Sequence, residues 1–376
     1  MTLRFAPLIA LALATSSLVS CGSPGPVEEP PLSDEALAAV SKDPGAPTKA
    51  LARAADELFT LDGLGETRAL VVYHGGKLAL ERYAPGYDKD TRFVSWSMAK
   101  TVTAVMIGML VADGQLRLDA PAPVPRWQRT GDPRAEITLR HLLQMRSGLE
   151  HTEAGDPPWE SGEVRMLFLD GRDDMADYAT AQPLEAEPGE KFEYSSNTTV
   201  ILAAIAARAL TDSTDPDVRR KAVADYLKAR LFEPLGMTSA VPEFDRAGTL
   251  IGGSLIHATA RDWAKFGELL RNKGSYRGEQ LVPRQWVDEM VEPSPRSPQY
   301  GLQTWLNRPL PEGEEHPLFP DRAPHSAFSL IGHMGQYVFV SPAQKLTVVR
   351  LGHSNAEERK AMLQQLADVI ELYPAS

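Results

Sequence analysis

The sequence predicts an α+β fold, with an antiparallel sheet made from both chain ends, flanked by helices, and a mostly helical insertion between them. Three observations predict it. Strand-like hairpins occur near residues 70–83 and again near 337–351. The long stretch between them reads mainly as helices. The chain has 376 residues, 43% hydrophobic and 24% charged, enough to bury one large core or two small ones. A half-apolar sheet must be covered, and helices are the cover the sequence offers.

Each element has its own signal. Residues 70–73 (LVVY) and 78–83 (LALERY) flank His74-Gly75-Gly76-Lys77, and Gly-Gly marks a two-residue hairpin turn. Residues 98–111 are apolar almost throughout and stop at Asp113-Gly114, the pattern of a helix buried on all sides. Helical patterns follow at 137–145 from a Thr138 start, at 199–210, at 223–231 and at 260–270. The acidic run 170–177 reads as a helix start. Residues 337–340 and 346–351 form the second hairpin pattern, and 356–372 a final amphipathic helix. Ser354 and Glu357 have capping-box spacing before that helix. The folded domain is expected over 51–376, with the helical subdomain at about 112–240.

The N-terminus has a different character. Arg4 precedes an apolar run, residues 5–19, that is short for a bilayer span and ends in Leu18-Val19-Ser20-Cys21. This resembles a bacterial lipoprotein signal, in which residues 1–20 are removed and Cys21 is lipidated. The resemblance implies an exported protein held in the cell envelope, with Gly22 pointing to the outer membrane facing the periplasm. Cys21 is the only cysteine, so no intramolecular disulfide can form. Residues 21–50, rich in Pro, Gly, Ala and Glu, read as a flexible tether with a short helix near 34–40.

Composition narrows the chemistry. A formal net charge of −11 excludes the basic footprint of nucleic-acid binding. There is no His-Glu-x-x-His, the eight histidines are scattered, and no metal or organic cofactor is expected. Among the lysines only Lys100 has a serine three residues before it, Ser97, which places both on one helical face. At a buried helix start, Ser97 would lie among unpaired N–H groups, and the same positive end would depress the Lys100 pKa. The bland alternative is that Ser95 or Ser97 caps the helix and Lys100 snorkels. A rival at Gly352-His353-Ser354-Asn355-Ala356 has the outline of a nucleophile elbow, but no histidine follows it in the chain.

Five segments then carry a family resemblance, in order: SWSMAKTVTAVMIGMLVADGQLRLDAP from Ser95, ITLRHLLQMRSGL from Ile137, PGEKFEYSSNTTVILAAI from Pro188, ATARDWAKFGELL from Ala258 and GHMGQYVFVSPAQKLTVVRLG from Gly332. Together they resemble the serine β-lactamase and penicillin-binding superfamily, nearest its class C-like esterases and 6-aminohexanoate-dimer hydrolases. The resemblance implies a β-lactamase/transpeptidase-like fold and a serine hydrolase that cleaves a carboxylic ester or small amide through an acyl-enzyme. It implies Ser97 as nucleophile, Lys100 as proton shuttle or base, and Tyr194 as general base and acid. The family's Tyr-x-Asn reads Tyr194-Ser195-Ser196, so Ser196 stands at the substrate-orienting amide, with Asn197 next to it. The family's Lys-Thr-Gly reads His333-Met334-Gly335. Histidine there lacks a permanent charge, which favours a neutral ester or amide over a β-lactam. Gln336, the next residue, would offer the second oxyanion N–H beside that of Ser97. The alternatives are a D-alanyl-D-alanine peptidase or weak β-lactamase, and a non-catalytic envelope-binding lipoprotein.

Overall fold

The computed structural model describes residues 31–375 apart from positions 312 and 315. The expected signal peptide and the Cys21 acylation site lie outside the described residues. The first hairpin pairs Glu66–His74 with Lys77–Tyr83, and Gly75 and Gly76 turn it at φ 58° and 80°, left-handed values that glycine adopts without strain. The second hairpin joins Gln336–Ser341 to Leu346–His353. The two meet at the centre of one sheet, where Val71 lies opposite Val349. Phe328–Gly332 and Trp305–Leu306 extend it to six strands, each antiparallel to its neighbour. The expected α+β architecture, an antiparallel sheet made from both chain ends and flanked by helices, is the one observed.

Alternation along the strands sorts the core into two layers. Leu70 and Val72 join Leu51, Leu58, Leu366 and Ile370 from helices Thr48–Thr60 and Ala356–Glu371. Ala69 and Val71 belong to the larger cluster with Trp263 and Phe266 of helix Ala260–Arg271 and with the apolar helix Ala99–Ala112. Each fully buried Val, Leu or Ile contributes about 1.5–3 kcal/mol. Gly108 is needed in the apolar helix because the Trp286 indole fills the place of a side chain there. Trp286 Nε1 donates to Ala104 O at 3.1 Å.

Several boundaries differ from the sequence reading. The tether ends sooner, because helix Asp34–Ala38 is capped by Ser33 and Ser41 N–H donates to Ala79 O at 2.9 Å, docking this segment on the sheet. The pattern at 223–231 begins earlier, at Pro216–Leu227, because Asp215 caps it and proline is favoured in a first turn. The last helix is capped one residue later than expected. Asn355 and Glu358 form the capping box, and Ser354 Oγ donates to Leu64 O at 2.6 Å.

Candidate active site

A short strand, Arg92–Val94, leads into the Ser97 segment. Ser95 is buried and fixes that segment to the neighbouring strand Ile256–Thr259: its Oγ accepts from Ile256 N–H at 3.0 Å, and its own N–H donates to Ile256 O at 3.0 Å. Trp96 then takes φ 45°, a left-handed value uncommon for a bulky residue and one that clusters at functional sites. Ser97 lies in the tight turn Trp96–Met98, two residues before helix Ala99–Ala112 starts, and Lys100 is in that helix's first turn.

Lys100 is 1% exposed and uses all three of its donors: to Ser97 Oγ at 2.9 Å, to Ser196 Oγ at 2.7 Å and to Gly253 O at 2.9 Å. The Tyr194 ring centroid is 4.8 Å from Nζ, and its phenol is coupled electrostatically to Lys100. Trp305 and Tyr300 hold that ring, with centroids 5.2 and 5.8 Å away. The sequence reading expected a depressed Lys100. Burial does push the ammonium down, but Tyr194, Glu153 and Glu163 outweigh it and leave the group above its ordinary value. Burial likewise raises the Tyr194 phenol, with Lys100 opposing. The resting pair is ammonium and phenol.

Ser196 begins helix Ser196–Leu210 and is fully buried. Its N–H donates to Glu153 Oε2 and its Oγ meets Glu153 Oε1, both at 2.7 Å, while Glu163 Oε1 is 3.0 Å from the same Oγ. His151 Nε2 is 2.6 Å from Glu153 Oε2. Neither acid was picked out in the sequence. Both line a cavity of about 550 Å³ that opens over Ser97, with Trp96, Tyr194, Trp305 and His333. Asn197 is turned away, lining a separate small cavity with His151 and Tyr178.

The His333 segment is placed differently from expectation. Strand Phe328–Gly332 ends at Gly332, and Gln336 opposite it starts the next strand. His333-Met334-Gly335 is therefore the turn between strands, with φ 58° at Met334 and 80° at Gly335. Ile331, Gly332 and His333 line the cavity, and His333 stacks edge-on with Trp96 at 5.4 Å. Burial, with Arg359 and His353 nearby, pushes the His333 imidazole below its ordinary value, so it is neutral at pH 7. Gly335 O instead accepts from buried Arg350 at 2.8 Å. The Gln336 amide bonds His333 O, Met334 O and Gly352 O, inside the sheet and off the cavity. Neither Gly335 nor Gln336 lines the cavity over Ser97, because the three-residue turn carries them past the strand end at Gly332.

Among the described residues, no three His, Cys, Asp or Glu side chains gather to hold a metal ion. No described helix is long and apolar enough to cross a membrane.

The Beta-lactamase family model matches residues 65–371, most of the chain and all of this site. The chain belongs to the beta-lactamase family. Within it, the chain is 27% identical over 271 residues to the 6-aminohexanoate-dimer hydrolase of Paenarthrobacter ureafaciens, covering 68% of this chain and 66% of that protein. It is 31% identical over 172 residues to esterase EstB of Burkholderia gladioli, 41% of each chain. The chain thus spans just under two thirds of the first of these relatives and less of the second. A penicillin-binding protein homologue from Caulobacter crescentus shares the fold, with TM-score 0.58, 17% identity and coverage of 89% and 97% of the two chains. In this beta-lactamase family member Ser97 and Tyr194 line the cavity with Glu153 and Glu163, and Lys100 is buried behind Ser97.

Proposed function

We infer that this chain is a serine hydrolase that cleaves a carboxylic ester or small amide through an acyl-enzyme on Ser97. The observation that carries this reading is the Ser97–Lys100–Tyr194 triangle at the mouth of the cavity. Ser97 Oγ attacks the substrate carbonyl as its proton passes to the Lys100–Tyr194 pair, once that pair has lost one proton. The N–H of Ser97 faces the oxyanion, and the His333 N–H, at the strand end lining the cavity, serves as the second donor in place of that of Gln336. Tyr194 returns a proton to the departing alkoxide or amine. Water then attacks the acyl carbon, and Ser97 regains its proton. The names of the relatives, a 6-aminohexanoate-dimer hydrolase and an esterase, support this substrate class.

A fluorophosphonate probe with peptide mapping tests the reading. Labelling at Ser97 that is lost in Ser97→Ala is expected, and labelling that persists in that variant refutes it.

A second reading, a D-alanyl-D-alanine peptidase or weak β-lactamase, draws on Arg359, a cation that lines the cavity beside His333 and could meet a substrate carboxylate. A lasting adduct with a fluorescent penicillin would favour it. The lipoprotein resemblance extends the proposal to an exported protein anchored through Cys21 in the bacterial cell envelope. Two or more acyl chains would hold it stably. Intact mass of the mature protein checks this, and a free Cys21 or a retained N-terminus rules it out.

A further inference from the structure

The contacts around Ser196 can be counted. A serine hydroxyl offers one donor and two acceptors. Its oxygen has three side-chain neighbours here: Lys100 Nζ at 2.7 Å, Glu153 Oε1 at 2.7 Å and Glu163 Oε1 at 3.0 Å. Lys100 must donate, since an ammonium has no acceptor. The single Ser196 proton can serve only one carboxylate. The other contact closes only if that carboxyl group carries a proton and donates to Ser196 Oγ. Glu153 is the better anion: its Oε2 accepts the Ser196 N–H and lies 2.6 Å from His151 Nε2, and its Oε1 is 3.8 Å from the Lys100 ammonium. Among the described residues, the hydrogen-bond partners of Glu163 are hydroxyls, Ser196 and, at 3.2 Å, Ser254.

We propose that Glu153 and Glu163 hold one proton between them across Ser196 Oγ, with Glu163 as the neutral acid, and that Glu163 is a positioning residue that orients the Ser196 hydroxyl and keeps the charge beside Lys100 at a single anion. The proposal rests on the reading of Ser97 and Lys100 as the reacting pair. Its geometry is a donor chain in which Glu163 O–H donates to Ser196 Oγ, Ser196 O–H to Glu153, and Lys100 to Ser196 and Ser97. The electrostatics run the same way. Burial, then the Glu153 charge, pushes the Glu163 carboxyl above its usual range. Burial opposes the Glu153 anion too, but Lys100 and the His151 hydrogen bond outweigh it and hold that carboxyl below. The charged and titratable groups facing the pair are Lys100 from the apolar helix, His151 from the same loop as Glu153, and Tyr194. His333 and Arg359 line the same cavity. Arg165, on the Glu163 helix, is exposed and paired with Asp170.

The consequence lies in how Ser97 is activated. Loss of the Glu163 proton at higher pH places a second anion near Lys100 and Tyr194 and holds their protons more tightly. Glu163→Gln keeps a donor toward Ser196 and removes the titration. Fluorophosphonate labelling of Ser97 in this variant should therefore rise with pH about one unit earlier than in wild type, about tenfold faster on the rising limb. Glu163→Leu removes the charge and the donor together. It should show the same early rise with a lower maximum rate. Infrared spectra of the unlabelled protein supply an independent readout. A carboxylic-acid C=O band is expected at neutral pH in wild type and absent in Glu163→Gln. Superimposable labelling profiles for wild type and Glu163→Gln, or an acid band that survives in Glu163→Gln, would overturn the proposal. Wild type that shows the band yet no Ser97 labelling would refute the hydrolase reading, and with it the role given to the shared proton.

Discussion

Replacing Lys100 by methionine preserves much of the side chain's bulk and removes one buried charge. The structure sets the size of the effect. Ser97 Oγ, Ser196 Oγ and Gly253 O lose a common donor, and Glu153 loses a cation 3.8 Å away. At an effective dielectric constant of about 20 that attraction is about 4 kcal/mol. The variant has an escape, because Glu153 can take up a proton. At pH 7 this costs a carboxyl of ordinary pKa about 3.7 kcal/mol, and at pH 5 about 1 kcal/mol. The lesser cost governs, so Lys100→Met should lose about 3–4 kcal/mol at pH 7 and about 1–2 kcal/mol at pH 5. The sign follows from the wild type as well. Its Glu153 is held below the usual range, so the stability it contributes is present at neutral pH and fades as pH falls through that lowered value. Urea denaturation of both proteins at the two pH values measures the gap. A gap under 1 kcal/mol at pH 7, or one that widens on acidification, would refute the picture of Lys100 as the cation that balances Glu153. Ester turnover should fall by about 10²–10⁴ in the same variant.

Other expectations follow from the same geometry. Gly332→Ala would drive a methyl group into Ser95 O, separating the strand end from the Ser97 turn. Turnover should drop at least about 100-fold while the unfolding transition stays cooperative. Arg350→Leu leaves Thr67 Oγ1, Glu66 O, Gly335 O and Ser354 Oγ without their buried donor and should cost about 3–5 kcal/mol by urea titration. With both Lys100 and Tyr194 held above their ordinary values, kcat for a neutral ester should climb with pH through and beyond neutrality; a maximum in the acid range would contradict this. Asn355→Ala should remove about 1 kcal/mol through loss of the last helix's cap, whereas the sequence reading assigned that cap to Ser354.

What could be read in the sequence was what local pattern determines. The Gly75-Gly76 hairpin, the unbroken apolar run after Ser97 and the one-turn spacing of Ser97 and Lys100 each depend on neighbours in the chain, and each is where the sequence placed it. Tyr194 came from motif order, and the structure brings it to the same cavity. Glu153 and Glu163 escaped because nothing local distinguishes them. They sit in HTEAGDPPWESGE, a polar loop where acids usually face water. They acquire meaning only when that loop folds over the start of helix Ser196–Leu210, some forty residues on. The Gln336 N–H, expected as the second oxyanion donor, starts the strand after the turn, while Gly332 and His333 line the cavity. Strand ends shift by a residue or two without changing the motif, and here the strand stops at Gly332. The Lys100 pKa moved opposite to expectation because nothing in the sequence marked the acidic groups that gather round the buried ammonium.

The pairing of Glu66–His74 with Leu346–His353 also bears on how the molecule is made. During synthesis the first hairpin emerges early, as two strands that are marginal alone and have one edge destined for the sheet centre. Its partner arrives only after the whole helical insertion has been made. The contacts that close the sheet are thus among the longest in the chain, a topology that folds slowly. Until residue 353 is free, the Val71 edge is open to pairing with another chain. A product truncated before Leu346 would not be a slightly shorter enzyme. It would lack the middle of its sheet, and its fate should be aggregation or proteolysis.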